Sequence, residues 1–126
     1  MPPDPNASRR YQRARELILI NYRVVDFERD LGDFDEGMTA STVDLSAGGM
    51  LLRMTEKFPP KTLLDLRFRL NAGGKEIVVL SKVIRTDPAE YEGVFFTAVE
   101  YPMLSDADRI EIDRYVKEIN DRRGNS

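Results

Sequence analysis

Two short stretches of this 126-residue sequence carry side chains whose types and spacing suit recognition of a planar, anionic ligand. The first is Arg9-Arg10-Tyr11-Gln12-Arg13-Ala14-Arg15, in which four of seven residues are arginine and Arg9 and Arg13 stand four apart. Arginine's rigid fork of donors meets the O6 and N7 acceptors of guanine bidentately, worth about 1–3 kcal/mol against the wrong base. The same planar cation stacks on a base face or clamps a phosphate. The second stretch is Val43 to Leu52, V-D-L-S-A-G-G-M-L-L. Asp44 is an acceptor-only carboxylate that suits the N1–H and N2–H donors on guanine's other edge, and Ser46 can donate or accept. Gly49 lets backbone come close to a ligand where a side chain would block it.

Each half also has a plainer reading. Arg9 and Arg13 alone are a solvated basic stretch, and Arg10 and Arg15 stay in that role because their spacing does not match. Asp44, Ser46, Gly48 and Gly49 alone are a tight strand-to-strand turn whose glycines accept positive φ. An arginine with an aspartate is also an ordinary ion pair.

The elements that must position these residues are mostly strands. Glu16 to Phe27 is apolar and β-branched and reads as a long first strand. Arg29 to Gly37, with two glycines and four acids, breaks it; an acidic surface loop fits better than a calcium loop, since the EF-hand ligand spacing is missing. Met38–Val43 and Met50–Met54 flank the turn, and Pro59 and Pro60 mark a loop. Thr62 to Leu70 alternates, with Leu64, Leu66, Phe68 and Leu70 facing one way and Asp65, Arg67 and Arg69 the other. Asn71-Ala72-Gly73-Gly74 is a hairpin turn. Lys75 to Thr86 resumes the sheet, Asp87 to Gly93 connects, and Val94 to Tyr101 is the last strand. Six strands with short turns predict a mainly β fold, a six-stranded antiparallel barrel, because closure removes exposed edges. The period then changes. Ser105 as N-cap, acids in the first turn and a stripe of Ile112, Tyr115, Val116 and Ile119 predict a C-terminal α-helix from about Asp106 to Arg122, stopped by Gly124.

Composition removes several classes of function. There is no cysteine and no histidine, so disulfides, zinc clusters, thiol catalysis and histidine-based acid–base work are out. The 41% apolar and 33% charged residues describe a single soluble domain. No apolar run reaches the roughly 18 residues of a membrane span, and M-P-P-D-P lacks the features of a signal peptide; the expected location is cytoplasmic. The net charge of −3 argues against a general DNA or RNA binder. Local basicity at 9–15 on an acidic chain suits a small anion better than a long polyanion.

In this order, Arg-x-x-x-Arg (Arg9, Arg13) before the first strand and Asp-x-Ser-x-x-Gly (Asp44, Ser46, Gly49) leading into Met50-Leu51-Leu52 resemble the paired signature of the PilZ family. Gly93-Val94-Phe95-Phe96 and the Ser105 helix are similar to later family features, so the resemblance covers about Arg9 to Arg122. It implies a flexible tail at 1–8 and a PilZ-like domain at 9–123, made of an arginine switch segment (9–15), a β-barrel (16–101) and the helix (105–122). It also implies reversible binding of cyclic di-GMP, with no cofactor or metal. Arg9 and Arg13 would hold guanine and phosphates, while Asp44, Ser46 and Gly49 would line the barrel side. Binding would order the arginine segment and present a surface to a separate, unidentified downstream protein in motility or biofilm regulation. In this family the residue before the first arginine bears on whether one messenger or a stacked pair binds; here it is Ser8. The chain is expected to be a monomer or weak homodimer, without membrane insertion.

Three other readings compete. One is a ligand-independent adaptor of the same fold, as in pilus or motility assembly, which typically lacks the arginine pair. A second is a small barrel binding RNA or single-stranded DNA, which needs exposed aromatics beside its basic groove; the basic stretch offers only Tyr11. The third, an enzyme, is not expected, since nothing picks a catalytic pair from the 22 acids.

Overall fold

Period-two burial closes this chain into a barrel. In the computed structural model, which describes residues 11–25 and 38–124, six strands and one helix follow in order. They are β1 (Leu19–Val24), β2 (Met38–Leu45), β3 (Gly49–Met54), β4 (Leu63–Arg69), β5 (Glu76–Pro88), β6 (Phe95–Glu100) and α1 (Asp106–Arg122). All pairings are antiparallel and the barrel closes in the order β1-β2-β3-β6-β5-β4. The closing seam is β1 on β4, where Asn21 faces Arg67 and Val24 faces Leu64. The alternation read in the fourth strand holds: Leu64, Leu66 and Phe68 are buried and Leu70 is half-buried, while Asp65 and Arg67 sit at the surface side. Ile20, Tyr22, Met50, Leu52, Met54, Ile77, Val79, Val83 and Val99 fill the same interior from the other strands. Each side chain so enclosed contributes roughly 1.5–3 kcal/mol of apolar transfer.

The boundaries of three strands differ from the expected ones by two residues or more; β2 runs on to Leu45 rather than stopping at Val43. The first strand begins at Leu19 rather than Glu16. Residues 15–18 run extended beside β2 but make only point contacts: the Ile18 amide donates to Thr42 Oγ1 at 2.8 Å and the Thr42 amide to the Ile18 carbonyl at 3.0 Å. Apolarity there reflects burial of Ile18, not a ladder. At its other end β5 continues through Asp87 to Pro88, because β6 still pairs with it there; proline is tolerated at a strand end, where its missing donor is not needed. The tail at 1–8, Arg9, Arg10 and the acidic segment at 29–37 lie outside the described residues.

Two β-bulges interrupt the ladders, one in β2 between Thr42 and Asp44 and one in β5 between Val83 and Arg85. An extra residue shifts the in–out phase by one. In β2, Thr42 and Leu45 are therefore both buried although three residues apart, and Asp44 is left at the rim. In β5, Ser81 and Val83 point inward, and Ile84 and Arg85 both emerge.

Helix α1 matches its sequence signals at both ends. Ser105 Oγ accepts from the Asp108 amide at 3.1 Å, and Gly124 follows the last turn at φ +74°. Its stripe of Ile112, Tyr115, Val116 and Ile119 joins the barrel's buried cluster, so this chain covers it. Removing the cap by Ser105→Ala is expected to cost about 1 kcal/mol, read as a lower midpoint with an unchanged slope in urea unfolding. Among the described residues no helix is long and apolar enough to cross a membrane.

Candidate functional site

The arginine segment is docked, not solvated, from Tyr11 onward. Apart from a single bridge it has no regular structure, as its lack of periodicity predicts. That bridge fixes it firmly: the Ala14 amide donates to the Leu45 carbonyl at 3.0 Å and the Leu45 amide to the Ala14 carbonyl at 2.9 Å. Ala14 is only 2% exposed. The expectation of a solvent-exposed stretch is thus corrected for Tyr11, Arg13 and Ala14, while Gln12 and Arg15 are exposed as expected; a small apolar residue among four arginines is what the barrel rim buries.

Docking brings Arg13 to Asp44. The Arg13 Nε donates to Asp44 Oδ1 at 2.9 Å and Nη2 donates to the same oxygen. Both side chains keep about a quarter of their surface exposed, so a ligand can reach either. The bulge in β2 makes this meeting possible, since without the phase shift the carboxylate at 44 would point into the core.

Beyond Asp44 the chain turns through Ser46, Ala47 and Gly48. Ser46 is buried, accepts from the Gly48 amide at 3.1 Å and donates weakly to the Gly49 carbonyl at 3.4 Å, while its own amide donates to that carbonyl at 2.9 Å. Its hydroxyl builds the turn. Neither Gly48 nor Gly49 has positive φ, contrary to the expectation for the turn. Gly49 is required for another reason: a Cβ there would collide with the Val99 carbonyl oxygen and lie 3.3 Å from Glu100 Cα on β6. The glycine is needed for close approach of a neighbouring strand.

These pieces enclose a cleft of about 430 Å³, within the range of small-molecule sites. Arg13, Asp44, Ser46 and Gly49 all line it. Four of the five residues singled out from sequence therefore share one cavity although more than thirty residues separate the two motifs. The fifth, Arg9, lies outside the described residues. Sequence reasoning missed Tyr11, Arg85, Ala98 and Glu100, which line the same cleft. Tyr11 lies against Gly48, its Cδ2 3.6 Å from where a Cβ would stand, and offers an aromatic face beside Arg13. Arg85 emerges at the β5 bulge, with Nε donating to Asp87 Oδ2 at 3.1 Å. Only the ladder register places it opposite the Asp44 turn.

Two features set the electrostatics. Arg13 and Arg85 balance Asp44 and Glu100 along the walls, so the described lining is neutral overall. Beneath it, the Tyr101 hydroxyl is buried without a hydrogen-bond partner among the described residues. Burial pushes its phenol well above the ordinary tyrosine range; Asp44 adds to the rise and Arg13 opposes it. At ordinary pH the Tyr101 phenol is therefore neutral.

Comparison with known proteins agrees with this layout. Residues 7–118 match the model of the PilZ domain. No curated protein sequence matches the chain. Among solved structures, the Bacillus subtilis inhibitor of motility MotI (DgrA) superposes with a TM-score of 0.72 at 17% identity, over 93% of this chain and 51% of that one. The present chain therefore spans about half of that protein. The PilZ domain of CeSA from a cellulose-synthesizing bacterium gives 0.58 at 20% identity, over 86% of this chain and 98% of that one. The PilZ domain of Escherichia coli YcgR, solved with c-di-GMP, gives 0.61 at 12% identity, over 93% of this chain and 98% of that one. Those likenesses are of fold; the family match over most of the sequence, on a closed six-stranded barrel with one C-terminal helix, makes this chain a member of the PilZ domain family.

Proposed function

We propose that this chain is a cyclic di-GMP receptor that passes its signal to a partner protein. The observation that carries the reading is the convergence of Arg13, Asp44, Ser46 and Gly49 on one cleft of about 430 Å³. In it, Arg13 supplies the fork for guanine or a phosphate oxygen and Asp44 the acceptor for guanine N1–H and N2–H. Tyr11 offers a ring face for stacking. The ligand carries two phosphodiester charges, and the described walls are neutral, so the excess positive charge is assigned to Arg9, two residues before Tyr11. Engagement of Arg9 extends a segment already anchored at Ala14. The likeness to YcgR, solved with c-di-GMP, supports the ligand, and the likeness to MotI, an inhibitor of motility, makes motility the first process to examine.

One observation favours a second reading, the ligand-independent adaptor: Arg13 and Asp44 are already paired with each other. Calorimetric titration with cyclic di-GMP, using GTP and cyclic di-AMP as controls, decides between them. Selective heat with a defined molar ratio is the expected result and also reads the stoichiometry associated with Ser8. Silence at roughly tens of micromolar, with no thermal shift, transfers the assignment to the adaptor.

A further inference from the structure

The buried stripe of α1 contains one residue that does not belong in a hydrophobic face. Ile112, Tyr115, Val116 and Ile119 are apolar, but Asn120, four residues after Val116, is also only 9% exposed. A buried amide is tolerated there only if its donors are used. Both hydrogens of Nδ2 are: one bond runs to the Arg13 carbonyl at 3.1 Å and the other to Gln12 Oε1 at 3.3 Å. Three residues on, Arg123 Nη1 donates to the Arg15 carbonyl and Nη2 to Glu16 Oε2 at 3.3 Å. The helix end thus grips the arginine segment on one side while Leu45 grips Ala14 on the other.

We propose that Asn120 is the positioning residue for Arg13: its amide fixes the Arg13 carbonyl, and through it the direction in which the guanidinium leaves toward Asp44 and the cleft. Ligand affinity then depends on a helix residue that lines no part of the cleft, and the last turn of α1 is mechanically linked to site occupancy. The affinity part of this proposal rests on the receptor reading; the positional part does not.

Asn120→Leu tests it, because leucine completes the apolar stripe at similar size while removing the amide; Asn120→Ala serves if leucine overpacks the site. The first readout needs no ligand. The Arg13 Nε–H, bonded to Asp44 Oδ1, should give a resolved, slowly exchanging side-chain NMR signal in the parent protein and lose it in either variant, with the fold intact by far-ultraviolet circular dichroism. The second is titration with cyclic di-GMP, where affinity should fall roughly tenfold. Retention of the Nε–H signal in the folded variants overturns the proposal, and so does unchanged affinity. If the parent protein binds no cyclic di-GMP, the receptor reading fails, and the NMR signal alone still decides whether Asn120 places Arg13.

Discussion

Arg13→Ala is expected to weaken cyclic di-GMP binding by about 100-fold or more. The figure follows from loss of a bidentate base contact or a charge-assisted phosphate bond, either worth up to about 3 kcal/mol, each 1.4 kcal/mol being a factor of ten. The melting temperature should fall by no more than about 5 °C, since a partly exposed ion pair is worth at most about 1 kcal/mol. The backbone anchors of the segment, Ala14 to Leu45 and the Arg13 carbonyl to Asn120, survive the substitution. Calorimetry and a thermal melt on the same preparation separate the two roles. A purely structural Arg13 would lower the melting temperature and leave affinity alone. Arg13→Lys sharpens the test, because lysine keeps the charge without the fork; recovery of full affinity with lysine would remove guanine recognition from Arg13's role.

The residues of this site were legible in the sequence where chemistry is local and illegible where it depends on register. Asp44, Ser46 and Gly49 lie within six residues, and the turn that follows Asp44 is closed by the hydrogen bonds of Ser46 to Gly48 and Gly49. Leu64, Leu66 and Phe68 announce their strand by alternation, and Ser105 announces its helix by its cap. Arg85 gives no such sign. Its place in the cleft depends on a bulge at Val83/Arg85 and on the pairing of β5 with β6, neither of which leaves a mark in residue types. Asn120 is an intermediate case. A polar residue on an otherwise apolar helical stripe is visible in the sequence, but its partners lie 107 and 108 residues away. The strand start at Leu19 went unread for a related reason: Ile18 is buried in the core cluster beside Thr42, and burial alone looks like a strand in a one-dimensional pattern. The docking of Tyr11 to Arg15 was hidden because its one buried residue is an alanine, which signals little by itself, and its other anchors come from Asp44, Asn120 and Arg123, far along the chain.

The adjacent glycines Gly48 and Gly49 should respond to alanine with opposite signs. Neither has positive φ, so in both cases the added methyl restricts the unfolded chain, a gain of about 0.4–1 kcal/mol when nothing is in the way. At Gly48 nothing is: the nearest atoms to a new Cβ are Tyr11 Cδ2 at 3.6 Å and Ser46 Oγ at 3.7 Å, ordinary contact distances. Gly48→Ala should leave the melting temperature unchanged or raise it by a few degrees. At Gly49 the Cβ meets backbone, the Val99 carbonyl oxygen, at a point where Gly49 faces Glu100 across the β3–β6 ladder. A flexible side chain could step aside, but a strand inside a closed barrel cannot do so without disturbing its own pairings. Overpacking of this kind costs about 1–3 kcal/mol or more, which exceeds the entropic gain. Gly49→Ala should therefore lower the melting temperature by roughly 10 °C. A variant that melts like the parent yet loses cyclic di-GMP would return Gly49 to the role its motif first implied, room for a ligand. A variant that melts early places the constraint in the barrel itself, where the turn carrying Asp44 depends on how closely β3 and β6 can approach.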